Sequence, residues 1–321
     1  MKKWFTIIFC SFCIQGFSQT MTLYSRNVLK KNREKFYRNI VQNVILKNLS
    51  DSSTVANEEA WASAFDAIAL IQYHTPFTDL KIRQAVESFP DHGLIFQRSL
   101  LDLLNALYPE TYHEPVKKYL NAIEDAKTFA MAANYILNKG TEDDAVYIEF
   151  LTQERMSRDK EDPYYQLLYY EASLFNKKIS APGLSGFFQK NYLPGSVLLI
   201  SVQRKNRNYP GLVLLRDANG NFVKADDGTI FHIPQLARSI SNMPGYISNG
   251  NTPEGIFRMD GFEVSNNAFI GPSVNVQMKM PFEDKASHFF MDVNMPDSIW
   301  NKSDYAKLLP KDFKNYYPIY Q

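Results

Sequence analysis

The stretch SNMPGYISNGNTPEGIFRMDGFEVSNNAFIGPSVNVQMKMPFE, residues 241–283, decides how the chain is organised. It is dense in Gly, Pro and Asn, which favour turns, and short apolar runs separate those turns. This composition predicts a loop-rich β segment. Its first half contains NTPEGIF, residues 251–257, the segment whose residue pattern points most directly to a chemistry.

The backbone of this segment can be predicted from its residue types. Pro253 fixes its own φ and biases Thr252 toward an extended conformation. Gly255 permits a backbone geometry or a close approach that a side chain would oppose. The apolar pair 256–257 is then expected to begin a strand. The residues alone predict a surface turn that leads into a β-strand.

Thr252, Pro253, Gly255 and Phe257 form the pattern Thr-Pro-x-Gly-x-Phe. Following paired strands in an exported chain, this pattern resembles the substrate-side signature of the L,D-transpeptidase catalytic domain. That domain is a β-rich fold that cross-links peptidoglycan through a cysteine. The resemblance implies that these four residues line the approach to a peptidoglycan stem peptide and that residues 190–321 form the corresponding domain.

The residues that carry chemistry in that family have no counterpart here. The family places a Cys nucleophile and a His-Gly pair after the Thr-Pro-x-Gly-x-Phe segment. This chain has only Cys10 and Cys13, and its last histidine, His288, is followed by neither Gly nor Cys. The resemblance therefore supplies no catalytic residue, and it implies neither a cofactor nor a metal. Because the sequence stops at Gln321 on an aromatic run, we expect the β-rich domain to be truncated.

Three function hypotheses follow from this pattern. The first is an L,D-transpeptidase-like envelope protein that is inactive as given because the nucleophile is missing. The second is a non-catalytic scaffold that binds peptidoglycan, a peptide or a protein partner. The third is an exported helical-repeat protein whose Thr-Pro-x-Gly-x-Phe match is accidental, since short motifs recur by chance.

Residues 1–18 have the organisation of a signal peptide. Lys2 and Lys3 precede an apolar core, and Gly-Phe-Ser at 16–18 is a small-x-small cleavage site that would leave Gln19 as the new N-terminus. The apolar run is too short to span a membrane comfortably. Cleavage would remove both cysteines, so we expect a thiol-free periplasmic or secreted protein with no transmembrane segment.

Composition limits the remaining function classes. The chain has 321 residues, of which 45% are hydrophobic and 21% charged, enough for two packed domains. Its formal net charge of +1 argues against nucleic acid as a main partner, because phosphate binding usually requires a basic excess. The five histidines show no metal-ligand spacing.

Residues 19–178 show helical periodicity. Three predicted helix pairs repeat with a period of roughly 33 residues, which favours an α-solenoid; an irregular helical bundle is the alternative. We expect Ser52 and Ser53 to cap one helix and Thr141 with Asp144 to form a capping box on another. A domain of this kind often offers a surface to a protein partner, although it could equally be a spacer.

The period changes to that of strands after a predicted linker at 179–189. Strands are expected at 196–202, 211–216, 222–223, 230–233, 255–259, 269–270, 274–280 and 289–293. A short helix or helical turn is expected at 234–240, and a short helix at 303–309. The fold class is therefore α+β, with an N-terminal α-helical repeat or bundle domain followed by a mostly antiparallel β domain.

Overall fold

The computed structural model describes residues 29–160, 162–175, 177, 183–247, 250–264, 274–279 and 308–313. Within these residues nine α-helices precede five strands in two antiparallel sheets, which confirms the predicted α+β class. The predicted leader at 1–18 and the predicted strands at 269–270 and 289–293 lie outside the described residues. So does most of the predicted helix at 303–309.

The helical part contains eight of these helices, and the ninth lies within the predicted linker region. The first helix continues into a π-helical stretch, Ile40–Leu46. The helices are α1 (Lys30–Asn39), α2 (Glu58–Ile71), α3 (Pro76–Glu87), α4 (Leu94–Leu107), α5 (His113–Leu120), α6 (Ala126–Lys139), α7 (Glu142–Arg158), α8 (Pro163–Ser173) and α9 (Ser185–Phe188). The short helix α9 occupies the second half of the predicted linker, 179–189.

The helices stack as successive pairs. Helices α2, α4, α6 and α8 contact one another in that order, while α3 packs on α4 and α5, and α7 packs on α6 and α8. The four stacked helices begin at residues 58, 94, 126 and 163, so the spacings are 36, 32 and 37 residues. Contacts between neighbouring pairs at a near-constant spacing are typical of an α-solenoid.

The core of the helical part is built around aromatic side chains at the α2–α4 contact. Trp61, Phe65 and Phe96 are fully buried. The rings of Phe65 and Phe96 meet edge to face with centroids 5.1 Å apart, and those of Trp61 and Phe65 are 5.8 Å apart. Edge-to-face pairs contribute about 0.5–1.5 kcal/mol beyond their buried area. This cluster therefore fixes how the first pairs stack.

Helix starts follow local capping chemistry. The predicted capping box of Thr141 with Asp144 is confirmed at the start of α7. The prediction that Ser52 and Ser53 cap a helix is wrong. The chain enters α2 through a 3₁₀ turn, Val55–Asn57, and the capping box is formed by Thr54 with Asn57, whose Oδ1 accepts the Thr54 N–H at 2.8 Å.

The β part begins with a three-stranded antiparallel sheet in the order β1-β2-β3. Its strands are β1 (Leu198–Val202), β2 (Gly211–Arg216) and β3 (His232–Gln235). A separate two-stranded antiparallel sheet pairs β4 (Arg258–Val264) with β5 (Val274–Lys279). The predicted strand at 211–216 has the observed bounds, and the turn before residue 221 contains Gly220 with φ +82°.

Two predictions near the motif are wrong. Residues 234–240 do not form a helix, because Pro234 belongs to strand β3 and pairs there with Leu212 of β2. Strand β3 is an edge strand of the described sheet, where proline is tolerated. Strand β4 begins at Arg258 and not at Gly255. The φ of Gly255 is +140°, a left-handed backbone conformation that interrupts an extended strand.

Arg155, on α7, links this helix to the C-terminal end of α5. Its side chain is buried, and its guanidinium lies 3.9 Å from the centroid of the Phe129 ring. Nη2 donates to the carbonyls of Leu120, Asn121 and Ile123 at 3.5, 3.0 and 3.1 Å. A cation at the C-terminal carbonyls of a helix satisfies orphan acceptors and opposes the negative end of its dipole.

Replacing this cation tests its structural role. We expect Arg155→Met, which keeps an apolar stem and removes the donors, to lower the free energy of unfolding by about 2 kcal/mol, because three carbonyls lose their partner. Urea denaturation followed by circular dichroism measures it. Arg158→Met, at an exposed position in the same helix, is the control and should change stability by less than about 0.5 kcal/mol. Equal stabilities of the two variants would contradict the capping role.

Candidate functional site

A loop at residues 239–251, described at 239–247 and 250–251 and here called the anchor loop, leads directly into the Thr-Pro-x-Gly-x-Phe segment. Its two ends are held together: Ser239 N donates to Asn251 Oδ1 at 2.8 Å, and Thr252 N donates to Ala237 O at 3.0 Å. A loop with adjacent ends and its own internal contacts is an Ω-type loop. The start of the segment is therefore fixed in space.

Asn251 is the hub of the anchor loop. Its backbone N–H donates to Met243 O at 2.7 Å, and its Nδ2 donates to Asn242 O and Oδ1 at 3.3 and 3.1 Å. Asn242 has φ +56°, a left-handed conformation that asparagine tolerates better than most residues. The side chain and backbone of one residue thus close the loop.

Gly245 explains how tightly the loop packs against the motif. A Cβ atom at Gly245 would lie 2.6 Å from Pro253 Cα and 2.7 Å from Pro253 Cβ. Real Cβ atoms do not approach other atoms this closely, so only glycine fits. The contact holds Pro253 against the anchor loop.

The anchor loop also docks on the helical part. Met243 and Ile247 are buried in the same hydrophobic cluster as the helical core. Between them, Tyr246 donates its hydroxyl proton to Glu171 Oε2 at 2.8 Å and accepts a hydrogen bond from Asn134 Nδ2 at 2.8 Å. The loop therefore joins the Thr-Pro-x-Gly-x-Phe segment to helices α6 and α8.

The four predicted substrate-binding residues directly follow the anchor loop in the sequence. Thr252, Pro253, Gly255 and Phe257 are all partly exposed. Their contiguity in sequence keeps them close, and the fixed position of Thr252 orients the group. The structure describes all four, and they form one continuous surface segment.

A guanidinium that the sequence analysis missed flanks the segment. Arg207, in the loop between β1 and β2, donates from Nη2 to Glu254 Oε1 at 2.9 Å. Its Nη1 is buried and has no hydrogen-bond acceptor within the described part of the chain. A guanidinium with spare hydrogen-bonding capacity is suited to a carboxylate. No local signal in the sequence connects residues 47 positions apart.

A second cluster, also missed, is a carboxyl pair between α2 and α4. Burial and the neighbouring charge of Asp66 raise the pKa of Asp102, the charge of Lys127 lowers it, and the net result is a pKa of about 7. Asp102 Oδ1 is buried without a hydrogen-bond partner. Burial also raises the pKa of Asp66, which accepts a hydrogen bond from Ser99. Asp66 keeps much exposed surface, so solvent screens its share of the interaction.

The carboxyl pair includes none of the four motif positions. Carboxyl groups with raised pKa values are common in acid–base sites but also occur in structural clusters. Across the residues that the structure describes, no group of three or more His, Cys, Asp or Glu side chains could hold a metal ion. In the same residues no helix combines the length and apolar character needed to cross a membrane.

The acidic turns of the β part have a simple structural role. The backbone N–H of Asn221 donates to Asp217 Oδ1 at 2.8 Å and lowers the pKa of Asp217. The hydroxyl of Thr229 donates to Asp227 Oδ1 at 2.7 Å and lowers the pKa of Asp227. Both aspartates close turns. His232 contacts the carbonyl of Ile230, and His288 lies outside the described residues.

Comparison with protein-family models, with curated proteins and with solved structures found no match. The resemblance to the L,D-transpeptidases therefore depends on Thr252, Pro253, Gly255 and Phe257 alone. A function for this segment is therefore argued from the geometry of these four residues and of the anchor loop.

Removing the hub of the anchor loop should loosen it. We expect Asn251→Ala to leave the Ser239 N–H without its acceptor and to lower the free energy of unfolding by about 1–3 kcal/mol. Thermal unfolding and hydrogen exchange of peptides from the loop measure the change. Asn208→Ala, at an exposed position between β1 and β2, is the matched control and should behave as wild type. An Asn251→Ala protein with wild-type exchange in the loop would contradict the role of this residue.

The carboxyl pair predicts a pH-dependent effect on stability. The pKa of Asp102 is about 7 in the folded protein against an ordinary 3.8, so the folded state holds the proton more tightly and stability falls as pH rises through that window. We therefore expect Asp102→Asn to be more stable than wild type at pH 8, on the order of 2 kcal/mol, and equal to it near pH 4.

Denaturation of both proteins in urea at each pH measures this difference. Asp51→Asn, a substitution of an exposed aspartate, is the control and should show no such gain at pH 8. An Asp102→Asn variant that is less stable than wild type at pH 8 would show that the carboxylate has a stabilising partner.

Proposed function

We propose that this protein is an exported cell-envelope protein that binds peptidoglycan stem peptides through residues 252–257. The observation that carries the proposal is the Thr-Pro-x-Gly-x-Phe pattern at the exit of a loop that is fixed at both ends. Assignment of residues 190–321 to an L,D-transpeptidase-like fold, and of residues 1–18 to a signal peptide, belongs to the same proposal.

The chemistry of the segment suits a short peptide. The Thr252 hydroxyl can donate and accept a hydrogen bond. Gly255 leaves the backbone accessible to a ligand, and the Pro253 and Phe257 side chains offer apolar surface. Arg207 could receive a ligand carboxylate in competition with Glu254, since guanidinium–carboxylate pairs are strong and directional. Stem peptides carry both amide groups and carboxylates.

The proposal is binding and not acyl transfer. A transpeptidase of this type needs a cysteine thiolate that attacks a peptide carbonyl and forms a thioester. The sequence has its cysteines at Cys10 and Cys13, within the predicted leader. A protein of residues 19–321 has no thiol with which to form that thioester, so the proposed function is limited to binding of the stem peptide.

A second candidate function is favoured by the outer surface of the helical part. Val146 and Phe150 lie one turn apart on α7, and 65% and 62% of their surfaces are exposed. Apolar side chains in such positions are a frequent feature of protein-binding surfaces, although single exposed residues are common. This pair supports a scaffold in which the helical pairs hold a protein partner.

Sedimentation with purified peptidoglycan tests the first function. We expect protein of residues 19–321 to pellet with insoluble peptidoglycan, and Thr252→Ala and Phe257→Ala to weaken this binding about tenfold, a loss of about 1.4 kcal/mol. Phe262→Ala, which removes an exposed aromatic residue on β4, is the control for non-specific adhesion and should bind as wild type.

The result that would contradict the function is equal binding by all four proteins or binding by none. Loss of binding only in a Val146→Ser and Phe150→Ser double variant would move the binding surface to the helical part.

A further inference from the structure

We propose that Glu171, Tyr246 and Asn134 form a pH-sensitive latch that holds the anchor loop on the helical part more tightly at acidic than at alkaline pH. The inference concerns the position of the loop and does not depend on the identity of the ligand. It goes beyond the proposed binding function because it assigns a regulatory property to the contact between the two parts of the chain.

The latch takes one polar side chain from each of three elements. Glu171 lies on α8, Asn134 on α6 and Tyr246 in the anchor loop. Tyr246 donates to Glu171 Oε2 and accepts from Asn134 Nδ2, both at 2.8 Å, and Asn134 Nδ2 also donates to Ala130 O at 2.9 Å. The tyrosine hydroxyl is thus used once as a donor and once as an acceptor.

Among the residues that the structure describes, the groups that face Glu171 include no cation. From α6 the facing group is the neutral amide of Asn134, and from the anchor loop it is the Tyr246 hydroxyl. From α8 itself, the Tyr164 ring packs against the Tyr246 ring with centroids 6.4 Å apart. Burial and the hydrogen bonds from Tyr246 and Asn134 are the influences on this carboxyl in the described part of the chain. An ionised Glu171 would therefore be a desolvated charge without an opposite charge.

The pKa values agree with this geometry. Burial raises the pKa of Glu171 from 4.5 to about 7, although the hydrogen bonds from Tyr246 and Asn134 lower it. Burial likewise raises the pKa of Tyr246 well above its ordinary value, so the phenol keeps its proton and remains a donor across this range. Of the three side chains in the latch, Glu171 is consequently the one whose charge changes near neutral pH.

The direction of the effect follows from proton linkage. With the loop docked, Glu171 holds its proton up to about pH 7, whereas a solvent-exposed glutamate releases it near 4.5. Between these values the undocked state binds fewer protons, so docking weakens as pH rises through the window and then levels off. The docking equilibrium should change on the order of a hundredfold in total.

Release of the latch would expose apolar surface and free the binding segment. Met243 and Ile247 flank Tyr246 and are buried in the helical core cluster, so they leave that cluster if the loop undocks. The backbone N–H of Thr252 donates to the carbonyl of Ala237, two residues before the anchor loop begins. Undocking would therefore change the position of residues 252–257 relative to the helices without unfolding the helical pairs.

Hydrogen exchange of the whole protein between pH 5 and pH 8.5 tests the latch, after correction for the intrinsic pH dependence of exchange. In wild type we expect protection of peptides covering residues 239–252 to fall at least tenfold over this range. The same fall is expected in Asp102→Asn, which lacks the other carboxyl whose pKa is raised to about 7, and in that variant helices α2 and α4 should keep their protection. In Glu171→Gln, which cannot ionise, protection should be independent of pH. Glu154→Gln, at an exposed position on α7, is the control and should follow the wild type.

Two results would overturn the proposal. One is pH-independent protection of the anchor loop in wild type, a measurement that requires no variant to fold. The other is a pH dependence in Glu171→Gln equal to that of wild type. Tyr246→Phe provides a further check. The Tyr246 hydroxyl donates to Glu171 and lowers the pKa of that carboxyl, so removal of the hydroxyl should raise the pKa of Glu171 and shift the midpoint of the pH dependence upward. An unchanged midpoint would contradict the contact.

Discussion

The hydrogen bond from Tyr246 to Glu171 is the contact on which the relation between the two parts of the chain depends. It lies between Met243 and Ile247, two side chains buried in the helical core. Burial of each such side chain contributes about 1.5–3 kcal/mol, so the apolar pair supplies most of the docking energy. The polar bond adds less free energy but fixes the orientation, because a hydroxyl and a carboxyl that are partly withdrawn from water favour arrangements in which both find partners.

The anchor loop converts this docking into a defined position for the Thr-Pro-x-Gly-x-Phe segment. Asn251 closes the loop, Gly245 lets Pro253 pack against it, and Thr252 bonds to the strand side at Ala237. The helical pairs then act as a rigid platform, since each pair is held by its neighbours. A binding segment carried by such a platform is better ordered than one on an isolated loop.

The sequence predicted those features that depend on neighbours in the chain. The helix pairs, the Thr141–Asp144 box and the bounds of β2 each follow from local periodicity or capping chemistry. It did not predict the contacts of the site, because Tyr246 and Glu171 are 75 residues apart and Arg207 and Glu254 are 47 apart. The misassigned helix at 234–240 has the same origin: pairing with β2 overrode the local preference.

The most direct test of the account is a map of backbone NMR shift changes in protein of residues 19–321 upon addition of a purified, soluble stem peptide. The account predicts saturable changes at residues 252–257 and in the anchor loop, with smaller changes at Arg207. Changes confined to the helical surface around Val146 and Phe150, or no changes at millimolar peptide, would contradict the claim that the Thr-Pro-x-Gly-x-Phe segment is the binding site.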